Sequence, residues 1–214
     1  MTRITKITEP DEIERRSFAI IDSEVLEPRP FEGAHWEVVR RMIHTSADFE
    51  LLSLAVFHND AVQAGIAAIR RGCTIVTDTE MARAGIGLRR IDRWGCRVKC
   101  FMGDEEVARR ARELGITRAR AALDLVAGRM DGGIFVIGNA PTALLRLLDF
   151  MNEGICRPSL VVGMPVGFVN AEESKELLMG RSKTPYITIR GRKGGSALAA
   201  SVVNALAELA GKAG

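Results

Sequence analysis

The residue best suited to acid–base chemistry is His44, one of three histidines in the 214-residue sequence. Among unperturbed side chains, an imidazole is the one that gains and loses a proton closest to neutral pH. A helix predicted over residues 32–44 places Arg41 on the same face as His44, and Arg40 on nearly the same side. This arrangement suits a proton shuttle. From these residues alone, however, a helix-end histidine beside two solvated arginines is the simpler interpretation.

Glycine-rich loops form a second group of residues with binding potential. Three of them begin at Gly138, Gly163 and Gly191, each after a predicted strand and before a predicted helix. Ligands of open parallel sheets bind at the carboxyl ends of the strands, where glycine lets backbone N–H groups approach an anion. Arg192 and Lys193 add positive charge to the last loop. Each loop alone is explained by turn chemistry, but several along one sheet edge indicate a binding site.

Nucleotide and nucleic-acid binding are poorly supported. Residues 191–196 lack the spacing of a P-loop, and residues 85–90 lack the third glycine of a dinucleotide fingerprint. Aromatic residues make up only 5% of the chain, which argues against a stacking platform for single-stranded nucleic acid. The net charge of +3 is low for a DNA-binding protein but compatible with a small polyanionic ligand.

The elements that must position these residues alternate between short apolar runs and helical segments. Strands are predicted at 73–77, 97–101, 133–137, 159–163 and 186–190. Helices are predicted at 13–26, 32–44, 60–71, 105–114, 119–127, 142–152, 172–179 and 196–210. This order predicts a three-layer α/β/α fold, an open parallel sheet covered on both faces, with an N-terminal helical segment. The absence of a repeat or linker predicts one domain over residues 1–214.

The cysteines and the apolar segments indicate a cytoplasmic protein. None of the four cysteines forms a C-x-x-C pair, so we expect reduced thiols and no metal site. The first ten residues lack the apolar core of a signal peptide. Polar residues interrupt the apolar stretch 53–69, so we expect no transmembrane helix.

Six ordered motifs resemble one family, the precorrin-8X methylmutases of cobalamin biosynthesis. They are R-S-F-A-I-I from Arg16, R-M-I-H-T-S-A-D-F from Arg41, G-N-A-P-T-A-L from Gly138, G-M-P-V-G-F-V from Gly163, E-S-K from Glu173 and G-R-K-G-G-S from Gly191. A further match is G-I-T-R, residues 115–118. The resemblance extends from about residue 14 to the last predicted helix, which is nearly the whole chain.

This resemblance implies an isomerase that moves a methyl group from C11 to C12 of a corrinoid tetrapyrrole, without a cofactor. It further implies a flavodoxin-like fold and a homodimer with active sites at the subunit interface. The histidine of R-M-I-H, here His44, is implied as the catalytic proton donor and acceptor. Substrate contacts are implied at positions that match the family motifs, namely Ser17, Arg41 and Arg118. The loop residues Asn139, Thr142, Arg192 and Lys193 are further substrate-binding candidates.

Two segments, residues 44–49 and 77–79, resemble the anaerobic branch of the family. The expected substrate is therefore cobalt-precorrin-8, which gives cobyrinic acid, and any cobalt belongs to the substrate. Metal-free precorrin-8X, which gives hydrogenobyrinic acid, is the alternative substrate. Two other functions stay open on this scaffold: a corrinoid-binding protein without catalysis, and a flavin or nucleotide binder.

Overall fold

The computed structural model describes residues 9–58 and 60–212. Most of the N-terminal segment on which the signal-peptide prediction depends, residues 1–8, lies outside these ranges. In the described ranges, six strands form one sheet. They are β1 (Ala55–His58), β2 (Thr74–Thr77), β3 (Arg97–Cys100), β4 (Ile134–Ile137), β5 (Leu160–Gly163) and β6 (Tyr186–Ile189).

The strand order is β1-β6-β5-β4-β2-β3. The five strands β2 to β6 are mutually parallel, and their order is the one typical of flavodoxin-like sheets. The predicted three-layer α/β fold is therefore confirmed, with one correction: the sheet is mixed. β1, which the sequence analysis did not predict, pairs antiparallel with β6, so that Ala55 lies opposite Ile189 and His58 opposite Tyr186.

Burial explains why the central strands are apolar throughout. Every residue of β4, β5 and β6 is buried, because helices cover both faces of the sheet. β3 lies at the opposite edge from β1. Its side chains alternate between exposed and half-buried, and the exposed ones are Arg97 and Lys99.

The helices form two layers and the N-terminal segment. They are α1 (Pro10–Glu24), α2 (Gly33–Ser46), α3 (Leu51–Leu54), α4 (Ala61–Arg70), α5 (Glu80–Gly85), α6 (Leu88–Ile91), α7 (Glu105–Leu114), α8 (Arg118–Val126), α9 (Pro141–Asn152), α10 (Ala171–Arg181) and α11 (Ser196–Lys212). On one side of the sheet, α11 packs against α2, α4 and α5, and α1 packs against α2. On the other side, α7 to α10 pack in sequence order.

All eight predicted helices are present, with ends that differ from the predictions by a few residues. The structure adds α3, α5 and α6, which are only four to six residues long. Such short elements leave little periodicity for a sequence pattern to reveal. None of the helices in the described ranges has the length and apolar character needed to cross a membrane.

Candidate active site

His44 lies in the last turn of α2 and is half-buried. The helix buries Val38, Val39 and Met42 against the core, so its orientation is fixed by packing. It ends at Ala47, which adopts a left-handed conformation with φ of 54°. The chain then turns sharply, and the imidazole is left at the edge of the core.

A groove of about 400 Å³ opens beside the His44 imidazole. We call it the imidazole groove; its lining residues are Ser17, Ile20, Ile21, Glu24, Ile43, His44, Ala47 and Phe49. The structure thus brings Ser17 and His44 to one surface, although they lie on different helices. The Ser17 hydroxyl donates a hydrogen bond to the Ile13 carbonyl within α1, at 2.8 Å. Mostly apolar walls with a few polar groups are typical of a site for a small molecule.

Phe18 forms a bridge between the imidazole and two arginines. Its ring centroid lies 5.1 Å from that of His44, with the planes tilted by 59°. The guanidinium carbons of Arg40 and Arg41 lie 4.5 and 4.7 Å from the same ring. Cation–π attraction favours both contacts. The two arginines therefore hold the Phe18 ring in place, and the ring in turn limits the orientations of the imidazole.

The Arg41 guanidinium is bound by carboxylates of this chain. Arg41 is buried, and its Nη2 lies 2.6 Å from Glu208 on α11, while its Nη1 pairs with Glu14 on α1. Although partial burial favours the neutral acid, the hydrogen bond and charge of Arg41 keep the pKa of Glu14 below its usual value. The resemblance implies a substrate contact for Arg41, whereas the structure gives it an intramolecular role that joins α1, α2 and α11.

Arg40 is likewise engaged within the chain. Its two terminal nitrogens each lie 2.7 Å from a carboxylate, one of Asp22 and the other of Glu37. The simple interpretation of the sequence, a histidine beside two solvated arginines, is therefore wrong in one respect. Both arginine charges are compensated by acids. Glu37 is three residues from Arg40 on the same helix, whereas the other partners lie on α1 and α11, where local spacing does not reveal them.

A second groove, of about 350 Å³, lies on the other side of the segment that follows His44. We call it the lysine groove; its lining residues are Thr45, Ser46, Asp48, Val166, Lys193, Gly194, Ala197 and Leu198. Residues 44–49 supply both grooves and so form the partition between them. The Lys193 ammonium group contacts the carboxylates of Asp48 and Glu50. The hydrogen bond from Lys193 holds the pKa of Asp48 below its usual value.

Asp78 lies at the carboxyl ends of the neighbouring strands β2 and β4, where flavodoxin-like folds ordinarily bind ligands. Its buried carboxylate accepts hydrogen bonds from the N–H groups of Gly138, Asn139 and Ala140, at 2.9, 2.8 and 2.7 Å. Burial raises the pKa of Asp78, although these three donors oppose the rise. The loop amides are therefore already bonded within the chain, and a ligand phosphate at this point would meet a buried acid.

The role of Asp78 was not predicted from the sequence. The available signal was an acidic residue directly after a predicted strand, opposite a glycine-rich loop. Close packing reinforces this loop, because a Cβ at Gly138 would lie only 2.7 Å from the Ser196 Cα. The hydroxyls of Ser196 and Thr79 are 2.8 Å apart. These contacts join the ends of β2 and β4 to the start of α11.

The remaining predicted residues lie at the same end of the sheet, where the carboxyl ends of the parallel strands meet. Thr142, at the start of α9, is brought to α8 by a hydroxyl contact of 2.7 Å with Thr117, the neighbour of the exposed Arg118. Asn139 is exposed beside the Asp78 carboxylate. Arg192 is also exposed, with its guanidinium 5.6 Å from the Phe168 ring centroid. Neither groove includes Arg118, Asn139, Thr142 or Arg192 in its lining.

The cysteines take no part in either groove. All four are free thiols, and the Cys96 thiol donates a hydrogen bond to the Ile69 carbonyl at 3.3 Å. In the described ranges, no three His, Cys, Asp or Glu side chains are grouped so that they could hold a metal ion.

Comparison with known proteins places this chain in a family. The sequence profile of the precorrin-8X methylmutases matches residues 12–209, which include both grooves and the sheet edge. The chain belongs to this family. The earlier resemblance is therefore confirmed, and with it the methylmutase activity, an isomerisation, that the names of the relatives give.

Relatives of this methylmutase are similar over almost their whole length. The cobalt-precorrin-8 methylmutase of Priestia megaterium is 46% identical over 202 residues, which cover 94% of this chain and 89% of the relative. The precorrin-8X methylmutase of Sinorhizobium sp. is 40% identical, with 94% and 95% covered. The solved structure of precorrin-8X methylmutase from Thermus thermophilus superposes with a TM-score of 0.88 at 43% identity, covering 94% of this chain and 97% of that one.

Proposed function

We propose that this methylmutase converts cobalt-precorrin-8 to cobyrinic acid by moving a methyl group from C11 to C12 of the macrocycle. One observation carries the proposal: in a member of the methylmutase family, the histidine of the R-M-I-H motif lines an open, largely apolar groove of about 400 Å³. A groove of this size and character suits one edge of a flat tetrapyrrole. Relatives from three organisms that share 41–46% identity carry the name cobalt-precorrin-8 methylmutase.

His44 acts in this proposal as the proton donor and acceptor. The migration breaks the C11–methyl bond and forms the C12–methyl bond, so substrate and product contain the same atoms and electrons. No redox cofactor is needed, and any cobalt travels with the substrate. What the reaction needs is electron withdrawal from the ring while the methyl group moves. An imidazole against a ring nitrogen can supply it by donating a proton or hydrogen bond and later recovering it.

The substrate's acetate and propionate groups require cations and hydrogen-bond donors. Ser17 shares the imidazole groove with His44 and is proposed to contact the ring edge. Arg118, Asn139, Thr142 and Arg192 lie on the sheet edge and are proposed to meet the peripheral carboxylates. Lys193 and Arg41 already bind carboxylates of this chain, so we propose that they shape the site.

Both grooves are open to solvent in the single chain, which agrees with an active site that a second subunit completes. A homodimer with interface active sites is therefore part of the proposal, as is a cytoplasmic location. Sedimentation of the purified protein, with and without the corrinoid product, tests the oligomeric state. A monomer that catalyses the reaction at full rate would contradict it.

Parallel incubation with cobalt-precorrin-8 and with metal-free precorrin-8X tests the activity and the substrate together. We expect a corrin absorbance spectrum to develop, faster with the cobalt-bearing substrate. The metal-free substrate is the second candidate because relatives with 40% identity are named precorrin-8X methylmutases. Tight binding of the pigment without any spectral conversion would refute the enzyme and favour a corrinoid-binding protein. A flavin spectrum in the purified protein would refute both.

A further inference from the structure

A fully buried lysine lies beneath the loop that borders the lysine groove. Lys175 on α10 is 0% exposed, and its Nζ donates a hydrogen bond to the backbone carbonyl of Lys193 at 2.6 Å. Among the residues that the structure describes, its ammonium group forms no ion pair. The nearby acid Glu172 interacts with its charge, but that carboxylate lies 3.9 Å from Arg192. The main partner of the Lys175 ammonium group is therefore one backbone carbonyl of the loop.

Packing alone does not explain a lysine at this position. Removal of an ammonium group from water is unfavourable, and one carbonyl offsets only part of the penalty. Burial accordingly lowers the pKa of Lys175 to about 8. A methionine has a similar length and would fill the same space without a charge. The carbonyl contact is thus the feature that a lysine provides and a methionine does not.

The loop that Lys175 supports is held on two further sides. The N–H of Gly195 donates to the Met164 carbonyl at 2.9 Å. Gly194 packs so closely that a Cβ there would lie 2.2 Å from the same carbonyl oxygen. On the second side, the Lys193 side chain reaches Asp48 and Glu50 across the lysine groove. The residue whose carbonyl is fixed by Lys175 therefore also holds the partition between the two grooves.

A continuous set of contacts thus leads from the core to the imidazole. Lys175 binds the Lys193 carbonyl, the Lys193 ammonium group binds Asp48, and Asp48 belongs to the 44–49 partition that begins with His44. We infer that Lys175 is a positioning residue that acts through Lys193 and Asp48 to hold His44 against the tetrapyrrole. This inference rests on the proposed function and deepens it.

The test compares three single lysine-to-methionine variants and one double variant. Lys175→Met removes the buried donor, Lys193→Met breaks the next contact at an exposed residue, and Lys99→Met on the β3 edge is the control. We expect Lys175→Met to lower kcat/KM by roughly 10- to 100-fold, because small misplacement of a reacting group is costly. Its melting temperature should stay equal or rise, because a buried charge is removed. The Lys175→Met/Lys193→Met double variant should lose no more than the larger single loss, since both act through one route.

Amide hydrogen exchange without substrate provides an independent readout. Residues 47–50 and 191–195 should exchange faster in Lys175→Met than in the wild type or in Lys99→Met. Wild-type kcat/KM in Lys175→Met would overturn the inference, as would a lower melting temperature with full activity per folded molecule. If Lys175→Met does not fold, Lys193→Met decides: full turnover there overturns the inference, and a matching loss supports it.

The same measurements separate this inference from the proposed function. A wild-type protein that converts neither tetrapyrrole overturns the proposed function, and with it the positioning of His44 against that substrate. Unchanged amide exchange in Lys175→Met, in an active enzyme, overturns the positioning route alone. Faster exchange together with lower kcat/KM and an unimpaired melting temperature supports the inference.

Discussion

The Phe18 ring lies 5.1 Å from the His44 imidazole, with the two planes inclined at 59°. Phe18 belongs to α1 and His44 to α2, so the contact depends on how these two helices pack. The guanidinium groups of Arg40 and Arg41 also contact the Phe18 ring. The orientation of the proposed acid–base group is therefore restricted by an aromatic side chain that the mechanism itself does not use.

Replacement of His44 should separate binding from turnover. We expect His44→Ala to bind the tetrapyrrole but to lose roughly 10²–10⁴-fold in turnover, because a positioned acid–base group contributes about this much. Pigment titration measures the binding, and the rate of corrin formation measures the turnover. His35→Ala is the matched control, since His35 contacts Phe57 and lines neither groove. Near-normal turnover in His44→Ala would remove the imidazole from the mechanism.

Replacement of Arg41 should mainly lower the stability of the fold, not the affinity for substrate. Arg41→Ala removes the buried partner of Glu14 and Glu208, but Arg90 stays 2.8 Å from Glu208, so the net loss is about that of one charged hydrogen bond, about 1.5–3 kcal/mol. We expect the free energy of unfolding, measured by denaturant titration, to fall by about that amount. Arg16→Ala, on an exposed pair with Glu12, should change it by less than about 1 kcal/mol.

The alternative outcome for Arg41→Ala is informative. The family motif implies a substrate contact for Arg41, and that role predicts weaker pigment binding at unchanged stability. If that result were obtained, Arg41 would have to exchange its carboxylate partners for those of the substrate on binding. Pigment titration beside the denaturation experiment distinguishes the two roles.

Replacement of Asp78 should loosen the loop after β4. In Asp78→Asn, an NH₂ group cannot accept the hydrogen bonds that one carboxylate oxygen receives from Asn139 and Ala140. We expect a loss of about 1–3 kcal/mol in the free energy of unfolding and faster exchange of these amides. Asp104→Asn is the control, because the Asp104 side chain does not cap its helix. Unchanged exchange at residues 138–140 would contradict the assigned role of Asp78.

The buried ammonium group of Lys175 predicts a pH dependence of stability. Burial lowers its pKa from 10.5 to about 8, so between these values the unfolded chain binds more protons than the folded chain. Stability attributable to Lys175 therefore rises with pH over this window. Below about pH 8 both states are protonated, and the penalty is constant.

Denaturation of the wild type and of Lys175→Met across this pH range checks the sign. The methionine variant should gain most over the wild type at or below about pH 8, and its advantage should shrink towards pH 10.5. An advantage that grows with pH would show that burial does not disfavour the charged form of Lys175.

Sequence patterns predicted the parallel part of the sheet because most of its strands are short apolar or β-branched runs bounded by turns. β1 escaped prediction because it has only four residues between two helices, and its pairing with β6 depends on a segment far along the chain. The grouping of Ser17 with His44 followed from the family motifs. The partners of Arg41 did not, because Glu14 and Glu208 lie 27 and 167 residues away from it. Spacing within one helix cannot reveal such contacts.

The charged outer strand has a consequence for assembly. A sheet edge offers unpaired N–H and C=O groups to any other strand, and this is a common route to aggregation. β1 covers the edge at β6, and the other edge presents Arg97 and Lys99 at alternate positions of β3. Two such edges brought together would face like charges in register. Repulsion between these charges therefore disfavours pairing of two copies of the chain through β3.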